Sequence, residues 1–429
     1  MSAHEHAQPI GGRILARPVG ILVAIFGVSA LVIAYRFFAG VGAVSNMSDG
    51  FTWGIWEPVN VVVFTGIGAG ALGVGLLTYA LNRGEYHGLV RPAVLLGAIC
   101  YTLGGSSIMV ALGRYWNALL LPVVPFWNLR SALLEVAVCV LAYILVLWVE
   151  VLPAVLERTA AAKSPRWSAF GAKWGWRLSG VMPYVIGLAI VLPLMHQSSL
   201  GGLMLIAETK VHPLWHTALL PALFLVSCLS MGYGAVVVLV TILGLSWNAK
   251  HDPKLFARMS KANAWLIFFY VALRLGDIAW SGKLHHLRGD FFTAVFLGEL
   301  ALFLVPAVLF LLPSVQRNKG RMFGAALLAV VAGAAYRVDT YITVYRPAPG
   351  WSYAPSLGEV MVTVGMAAIG IAVFIVICRL LPVVVVASRA RPGPVLGVAK
   401  AGTGGAGGGR RPTRPPVPVR EERRDELPR

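Results

Sequence analysis

Six of the ionisable side chains inside long apolar runs of the sequence are candidates for a functional role. A charge at the centre of a bilayer costs about 2.5–3.5 kcal/mol or more unless it is paired or hydrated, so each of these residues is a candidate functional group. Buried carboxylates can carry protons, although a structural ion-pair network between helices explains such a set equally well. The six residues are Glu135, Arg274, Asp277, Glu299, Arg337 and Asp339.

The spacing of these groups predicts how they pair. Arg274 and Asp277 are three residues apart and can form an ion pair on one face of a helix. Arg337 and Asp339 are two residues apart and point in different directions, which predicts a partner on another element for each. The other two carboxylates have no cation within one turn of their own helices and are the stronger site candidates. These two are Glu135 and Glu299.

A polar stretch separates two of the apolar runs. Residues 192–217 carry histidine, glutamine, serine and glycine between the runs at 183–195 and 219–245. We interpret this stretch as a connection between two helices that can bind something at a membrane surface, with His196 and Gln197 near its start. An ordinary surface loop would have the same composition.

The composition identifies a membrane protein. The 429 residues are 58% hydrophobic and 13% charged, whereas a soluble globular chain carries about 25% charged residues. The net charge of +18 does not indicate nucleic-acid binding, because the basic residues lie mainly in a C-terminal tail and in loops between apolar runs. The four cysteines lie singly in apolar runs and cannot hold an iron–sulfur cluster as a set.

A membrane-spanning helix needs about 20 mostly apolar residues, and this rule predicts an all-α bundle of about ten spans. The predicted limits are 20–38, 58–81, 92–112, 131–152, 178–195, 217–245, 262–281, 292–312, 322–344 and 358–381.

The distribution of basic residues predicts the orientation of the bundle. One set of alternate loops and the N-terminus carry 16 Lys and Arg residues, and the other set carries six. The positive-inside rule therefore places both termini in the cytoplasm. We predict a cytoplasmic segment at 1–19, a membrane domain at 20–382 and a disordered basic cytoplasmic tail at 383–429, since the tail is rich in Gly, Pro and Arg.

Four polar segments fall on the outer face in this topology. They are 51–60, 113–117, 125–135 and the stretch 192–217. Tryptophan alone is expected in an interfacial belt, but charged and polar groups such as Glu57 and Arg114 accompany it here. The sequence thus predicts a polar pocket at the outer face.

Several motifs together resemble the NrfD/PsrC-type integral membrane subunits. The later motifs resemble the HybB-like branch found with periplasmic [NiFe] hydrogenases, and the similarity runs from about residue 11 to 382. The motifs are WGIW at 53–56, NRGEYHGLVRP at 82–92, GGSS at 104–107, GRYWN at 113–117, LLEVAVC at 133–139, MHQSSLGGLM at 195–204 and KVHPLWHT at 210–217.

The resemblance implies a ten-helix subunit in the bacterial inner membrane that exchanges electrons with menaquinone or ubiquinone. It implies a periplasmic ferredoxin-like iron–sulfur subunit docked at the outer face, with the large and small [NiFe] hydrogenase subunits beyond it. It also implies a chain without haem, cluster or metal of its own. Proton movement across the membrane is compatible with this assignment and is not implied by it.

The resemblance also implies roles for particular residues. Tyr101 and Glu135 would lie near the quinone or its proton route, and Arg114, His196 and Gln197 would shape the outer pocket. The remaining candidates, including Glu57, would form a supporting polar network. The chain departs from related hydrogenase subunits at two places. Those subunits often carry an acid in the sixth helix, where this chain has Leu239. They also commonly carry an acid near Asn60, where the nearby acid in this chain is Glu57.

Three other functions stay open on the sequence. The partner can be a polysulfide-reductase-like or other molybdoenzyme instead of a hydrogenase. A b-type cytochrome would need facing histidines, for which His196 and His216 are the available pair. A secondary transporter would need inverted repeats with a site at the midplane, whereas the charges here gather in the outer half.

Overall fold

The structure, a computed structural model, describes residues 7–247, 249 and 252–386. Within these residues, ten helices are long and apolar enough to cross a membrane, which confirms the predicted all-α bundle. They are α1 Arg17–Ala39, α2 Glu57–Ala80, α3 Gly84–Ala111, α4 Ala132–Ala160, α5 Pro165–Ile206, α6 Leu220–Trp247, α7 Pro253–Trp280, α8 Phe291–Leu311, α9 Lys319–Thr343 and α10 Leu357–Leu380.

The described ends of the chain lie together at one face, here called the terminal face. Gln8 and Val384 form an isolated antiparallel bridge there. The opposite face, here called the distal face, holds the connections 40–56, 112–131, 207–219, 281–290 and 344–356, and backbone bonds such as His212 N to Val344 O join them. The cytoplasmic orientation of the terminal face stays a prediction, and residues 387–429 of the predicted tail lie outside the described residues.

The predicted limits of the fifth helix are wrong. Helix α5 runs for 42 residues from Pro165 to Ile206, so much of the stretch interpreted as a connection is helical. Its polar side chains face neighbouring helices, and the hydroxyls of Ser198 and Ser199 bond to carbonyls one turn earlier. Helix α4 likewise continues to Ala160, which reduces the predicted connection 153–177 to a short turn.

Glycines allow the helices around α6 to approach closely, as the small-residue runs predict. A Cβ atom on Gly232 of α6 would lie 2.5 Å from the backbone nitrogen of Gly70 on α2. A Cβ on Gly201 of α5 would lie 2.5 Å from the carbonyl oxygen of Leu220 at the start of α6. Helix α6 therefore packs closely against both α2 and α5.

Helix α1 packs chiefly along α10, the last span of the bundle. Its buried residues are Val19, Ser29 and Arg36. A Cβ on Gly365 of α10 would lie 2.1 Å from the Cβ of Ser29, so only glycine fits at this crossing. The first and last spans thus form one pair at the side of the bundle.

Two helices contain π-helical turns near the distal face. Helix α2 begins as a π-helix over Glu57–Val63, and α9 ends as one over Asp339–Thr343. Such turns are rare and are frequent at functional sites, because they re-aim side chains and free backbone groups. The first of them positions Glu57 and Asn60 beside the cleft described next.

Candidate functional site

A cleft of about 1060 Å³ lies between α3, α4 and the connection 112–131. Leu200 and Leu203 of α5 complete its wall, and most of its lining is aliphatic or aromatic. Its polar lining residues are Thr52, Glu57, Thr102, Ser106, Arg114, Asn117 and Tyr341. A large apolar cleft with a few polar groups is the usual form of a site for a hydrophobic small molecule.

Glu57 and Arg114 are the acidic and the basic residue in the lining of this cleft. Glu57 is 8% exposed, and its Oε2 accepts a hydrogen bond of 2.7 Å from the backbone nitrogen of Gly54. Arg114 follows the end of α3 and is exposed at the rim. The structure therefore places two predicted site residues, one acidic and one basic, along the same cleft.

A central polar cluster joins four helices beside the cleft. Gln197 of α5 donates from Nε2 to Thr65 Oγ1 at 3.1 Å and to the Tyr101 hydroxyl at 3.4 Å. Its Oε1 accepts from Nη2 of Arg337 on α9 at 3.2 Å. These side chains are buried completely. The structure thus brings together Tyr101 and Gln197, as predicted, and adds Arg337 and Thr65.

Arg337 is held mainly by neutral acceptors. Its guanidinium donates to the Ser227 hydroxyl at 3.2 Å and to the carbonyl oxygens of Phe224 and Gly333 at 3.1 Å. Partial charges of carbonyls and hydroxyls therefore stabilise this buried cation in place of a carboxylate. The predicted partner on another element is present, and it is a glutamine together with backbone groups.

His196 of α5 and Asn60 of α2 are two further buried polar residues. The His196 ring lies 5.5 Å from the Tyr101 ring, and both side chains are 0% exposed. Neither ring nitrogen of His196, and neither amide atom of Asn60, has a hydrogen-bond partner among the described residues. An unpaired buried polar group costs about 1–3 kcal/mol, so both residues fit a place where a polar ligand or water binds.

A second polar cluster joins α7 and α8 and is centred on an ion pair. Arg274 Nη1 lies 2.6 Å from Glu299 Oε1 and also donates to the Tyr270 hydroxyl at 2.8 Å. The other oxygen of Glu299 accepts from Trp215 Nε1 at 2.8 Å. Glu299, predicted as a site carboxylate without a cation on its own helix, is therefore paired with a cation from the neighbouring helix.

The predicted pairing of Arg274 with Asp277 is wrong. Arg274 points towards α8 and is 3% exposed, whereas Asp277 is half-buried and accepts a bond of 3.4 Å from the Ser281 hydroxyl. Arg274 pairs with Glu299 on the neighbouring helix because burial makes this contact far stronger than a partly solvated contact along one helix. Asp339 lies close enough to both members of this ion pair to affect them electrostatically.

Glu135 lies apart from the other predicted quinone-site residues. Its side chain is exposed at the bundle surface and accepts a bond of 2.5 Å from the Ser199 hydroxyl. Its neighbours Leu134 and Val136 line the cleft, whereas Glu135 does not. The structure thus positions Glu135 on the outer side of α4, near the cleft but not in its wall.

One buried carboxylate close to the start of α2 was missed by the sequence reasoning. Glu359, at the start of α10, is 0% exposed and accepts a bond of 3.0 Å from the Tyr353 hydroxyl. The sequence does contain a signal for this helix start, because serine at 356 and glutamate at 359 form a capping box. That pattern predicts where the helix starts, and it does not indicate that the carboxylate lies against the start of α2.

Comparison with known proteins decides the family. The family described as polysulphide reductase, NrfD, matches residues 43–345 of this chain. The chain belongs to the NrfD family. This confirms the resemblance inferred from the motifs, and with ten spans the chain is a multi-pass integral membrane protein.

Individual relatives within this NrfD family cover most of the chain. The probable Ni/Fe-hydrogenase 2 b-type cytochrome subunit of Escherichia coli K12 is 35% identical over 380 residues, covering 88% of this chain and 94% of that protein. The menaquinone reductase integral membrane subunit of Nitratidesulfovibrio vulgaris is 26% identical over 388 residues, covering 82% and 87%. Protein NrfD of Escherichia coli K12 is 27% identical over 305 residues, covering 65% and 92%.

The name of the first relative raises the question of a b-type haem. Of the histidines that the structure describes, His87 and His196 lie within spans, His87 in the first turn of α3 and His196 well inside α5. His216 bonds through Nε2 to the carbonyl oxygen of Leu205 at 3.0 Å, and His212 stacks on Phe292 at 4.4 Å. These described histidines do not fit a pair of axial haem ligands at matching depth.

Proposed function

We propose that this NrfD-family chain is the membrane subunit of a respiratory oxidoreductase that passes electrons between a periplasmic iron–sulfur subunit and membrane quinone. We further propose a [NiFe] hydrogenase, with its large and small subunits, as the catalytic partner. The observation that carries the quinone site is the cleft of about 1060 Å³ with apolar walls and the ionisable residues Glu57 and Arg114 in its lining.

The chemistry of a quinone matches this lining. An isoprenoid tail fits walls of Leu, Val and Ile, and the head needs hydrogen-bond donors for two carbonyl oxygens. The guanidinium of Arg114 can donate hydrogen bonds to these oxygens. The carboxyl group of Glu57 transfers a proton to an oxygen that has gained electron density. Reduction consumes two electrons and two protons, and the electrons come from the iron–sulfur partner.

The central polar cluster supports the inner end of this site. Thr65, which binds Gln197, donates its hydroxyl to the carbonyl oxygen of Val61, and Val61 lines the cleft. Tyr341, also in the cleft lining, donates to the carbonyl oxygen of Leu200 at 2.9 Å. We propose that this network fixes the shape of the cleft, while Tyr101 and His196 lie behind its wall.

Two relatives support the choice of partner and substrate. The relative with 35% identity carries the name of a Ni/Fe-hydrogenase 2 subunit, and another carries that of a menaquinone reductase subunit. These names favour menaquinone and a hydrogenase. The family description favours a second candidate, a polysulphide-reductase-type complex with the same quinone site and a different catalytic subunit.

The test is a plug in the cleft with a matched control on the same helix. Ala137 lines the cleft and Ala142 does not, and both are half-buried on α4. In the complex purified in mild detergent, Ala137→Trp is expected to raise KM for a menaquinone analogue by about tenfold, with Ala142→Trp near wild type. Equal KM values in the two variants would rule out this cleft as the quinone site.

The same purification tests the partner. Co-purification of iron–sulfur and [NiFe] subunits, with hydrogen-dependent reduction of the quinone analogue, is the expected result. A different catalytic subunit beside an iron–sulfur protein would favour the polysulphide-reductase candidate. Recovery of this chain without any redox partner, under conditions that preserve complexes, would contradict the proposed function.

A further inference from the structure

Two buried carboxylates from different helices meet at Gly54, just before α2. Glu57 Oε2 accepts a bond of 2.7 Å from the Gly54 nitrogen. Glu359 belongs to the first turn of α10, and a Cβ on Gly54 would lie 2.2 Å from its Oε1. Glycine is therefore required at position 54, and its small size lets both carboxylates approach the same backbone segment.

The two oxygens of Glu359 are in different situations. Oε2 accepts from the Ser356 nitrogen at 2.6 Å and from the Tyr353 hydroxyl at 3.0 Å. The backbone nitrogen of Glu359 in turn donates to Ser356 Oγ at 3.1 Å, which completes a capping box. Oε1 is buried without a hydrogen-bond partner in the described part of the chain. One oxygen therefore caps α10, and the other is available for a proton.

Tyr353 connects this carboxylate to the loop before α2. Its hydroxyl oxygen accepts from the Ile55 nitrogen at 2.5 Å while its proton goes to Glu359. Burial raises the pKa of Tyr353, and the nearby charges of Glu359 and Glu57 raise it further. The phenol thus stays protonated and keeps its hydrogen bond to the carboxylate.

The environment of the two carboxylates favours one shared proton. Glu57 is 8% exposed and Glu359 is 0% exposed. Two negative charges at such close, dry positions repel each other strongly unless one of them is neutralised. The ionisable groups that accompany them are Tyr353, which is neutral, and Arg114 and Tyr341, which line the cleft with Glu57.

We propose that Glu57 and Glu359 form a carboxyl pair that exchanges protons between the quinone cleft and the distal face. Glu57 lines the cleft, and Glu359 lies behind it at the base of the connection 344–356. This inference rests on the proposed quinone function of the cleft. It assigns to Glu359 a role in proton supply in addition to its role as a helix cap.

The step balances as ordinary quinone chemistry. When two electrons arrive from the iron–sulfur partner, the O–H bond of the Glu57 carboxyl breaks and a new O–H bond forms on a quinone oxygen. The Glu359 carboxylate then takes up a proton from solvent at the distal face and passes it to the Glu57 carboxylate. A second round delivers the second proton, and quinol oxidation runs the same transfers in reverse.

The decisive variant is Glu359→Gln in the purified complex. Glutamine at this position can still accept the capping bond, but it cannot carry the proton. We expect turnover with the menaquinone analogue to fall by about tenfold or more, with a changed pH profile, while KM for the analogue stays within about twofold. The control is Ser356→Ala, which removes a capping oxygen and is expected to lower thermal stability without changing the pH profile.

Tyr353→Phe gives a second variant for the case that Glu359→Gln assembles poorly. It removes the hydroxyl that orients Glu359 and is expected to alter the pH profile in the same direction, with a smaller loss of turnover. Redox-induced infrared difference spectra add a direct readout. The wild type is expected to show a protonated-carboxyl band that both Glu57→Gln and Glu359→Gln change.

The outcomes separate this inference from the proposed function. Wild-type turnover and pH profile in Glu359→Gln, beside a loss in Glu57→Gln, would overturn the carboxyl pair and leave the quinone site standing. An infrared band that neither variant changes would also overturn it. Failure of the cleft plug at Ala137 to affect quinone kinetics would overturn the proposed function itself.

Discussion

Glu299 and Glu359 are both buried carboxylates on membrane-spanning helices, but their surroundings differ. Both oxygens of Glu299 are hydrogen-bonded, one to the cation Arg274 and the other to Trp215. Glu359 has a tyrosine and a backbone nitrogen as donors at one oxygen, and its other oxygen is unpartnered within the described ranges. The first carboxylate holds two helices together, and the second can gain and lose a proton.

The difference shows how to sort intramembrane charges. A carboxylate beside a buried cation stays ionised, because losing its charge would leave the cation unpaired. A carboxylate beside another carboxylate can exchange a proton at low cost, since protonation relieves repulsion. The number of charged residues in the spans therefore does not indicate the mechanism. The sign of the nearest charged neighbour is more informative, because a cation favours a structural ion pair and a second carboxylate favours proton exchange.

The largest effect is expected from breaking the ion pair. Glu299→Ala leaves Arg274 buried without its counter-charge, which destabilises by about 3–5 kcal/mol. The measurement is thermal unfolding of the chain in detergent, together with the yield of assembled complex. The double variant Arg274→Met with Glu299→Met is the control and should recover most of the loss. Wild-type stability in Glu299→Ala would contradict a structural role for this pair.

A smaller effect, on turnover instead of stability, is expected at the carboxyl pair. Glu57→Gln should lower quinone turnover by about tenfold or more, because the proton donor to the quinone oxygen is lost. Its melting temperature should stay close to the wild type, since Glu57 forms no ion pair with the described residues. Steady-state kinetics with a menaquinone analogue, alongside a melting curve, give both values. A large loss of stability with normal turnover in Glu57→Gln would instead show that Glu57 has a structural role, like Glu299, and no role in proton transfer.

A variant at His196 tests whether the central polar cluster takes part in turnover, as proposed for Glu359, or only holds helices together, as Glu299 does. His196→Phe keeps a ring against Tyr101 and removes two buried nitrogens that lack partners among the described residues. Stability is expected to stay equal or rise by about 1 kcal/mol, and turnover to fall by about threefold. A marked loss of stability would instead show that the imidazole makes a structural hydrogen bond.

The smallest effect concerns pH and the distal face. Burial lowers the pKa of His212, and the charge of Arg346 lowers it further. The unfolded chain, with a histidine pKa near about 6.5, then binds more protons than the folded protein does in mildly acidic solution. The contribution of neutral His212 to the free energy of unfolding is therefore fully present above about pH 6.5, and it decreases as the pH falls below that value. His212→Gln should flatten the melting temperature between about pH 7 and pH 5, and an unchanged slope would contradict this.

Hydropathy alone predicted the ten spans because each must bury its backbone and present about 20 apolar residues to lipid. It failed at α5, where His196 and Gln197 made a helical segment look like a connection. A local count of polar residues cannot distinguish a loop in water from a helix whose polar face meets other helices. That distinction depends on which helices are neighbours, and the sequence does not state it locally.

The same limit applied to the site. Tyr101, Gln197 and Arg114 were candidates because the resemblance to NrfD-type subunits implied roles for them, and Gln197 and Arg114 also lie in polar segments beside spans. Glu359 was missed because a glutamate three residues after a serine has an ordinary explanation as a helix cap. Its second position, against Gly54, arises only when α10 packs next to the start of α2, a contact between residues far apart in sequence.

The pairing of α1 with α10 has a consequence for how the protein is made. Spans leave the ribosome in order, so the first helix enters the membrane while its partner has not yet been synthesised. Ser29 must therefore wait in lipid, or against the insertion machinery, until Gly365 arrives, whereas Arg36 binds the carbonyl oxygen of Leu112 just after α3. Chains interrupted before α10 would leave the first span without its main contact, and quality-control proteases that recognise exposed polar groups in the bilayer would find them there.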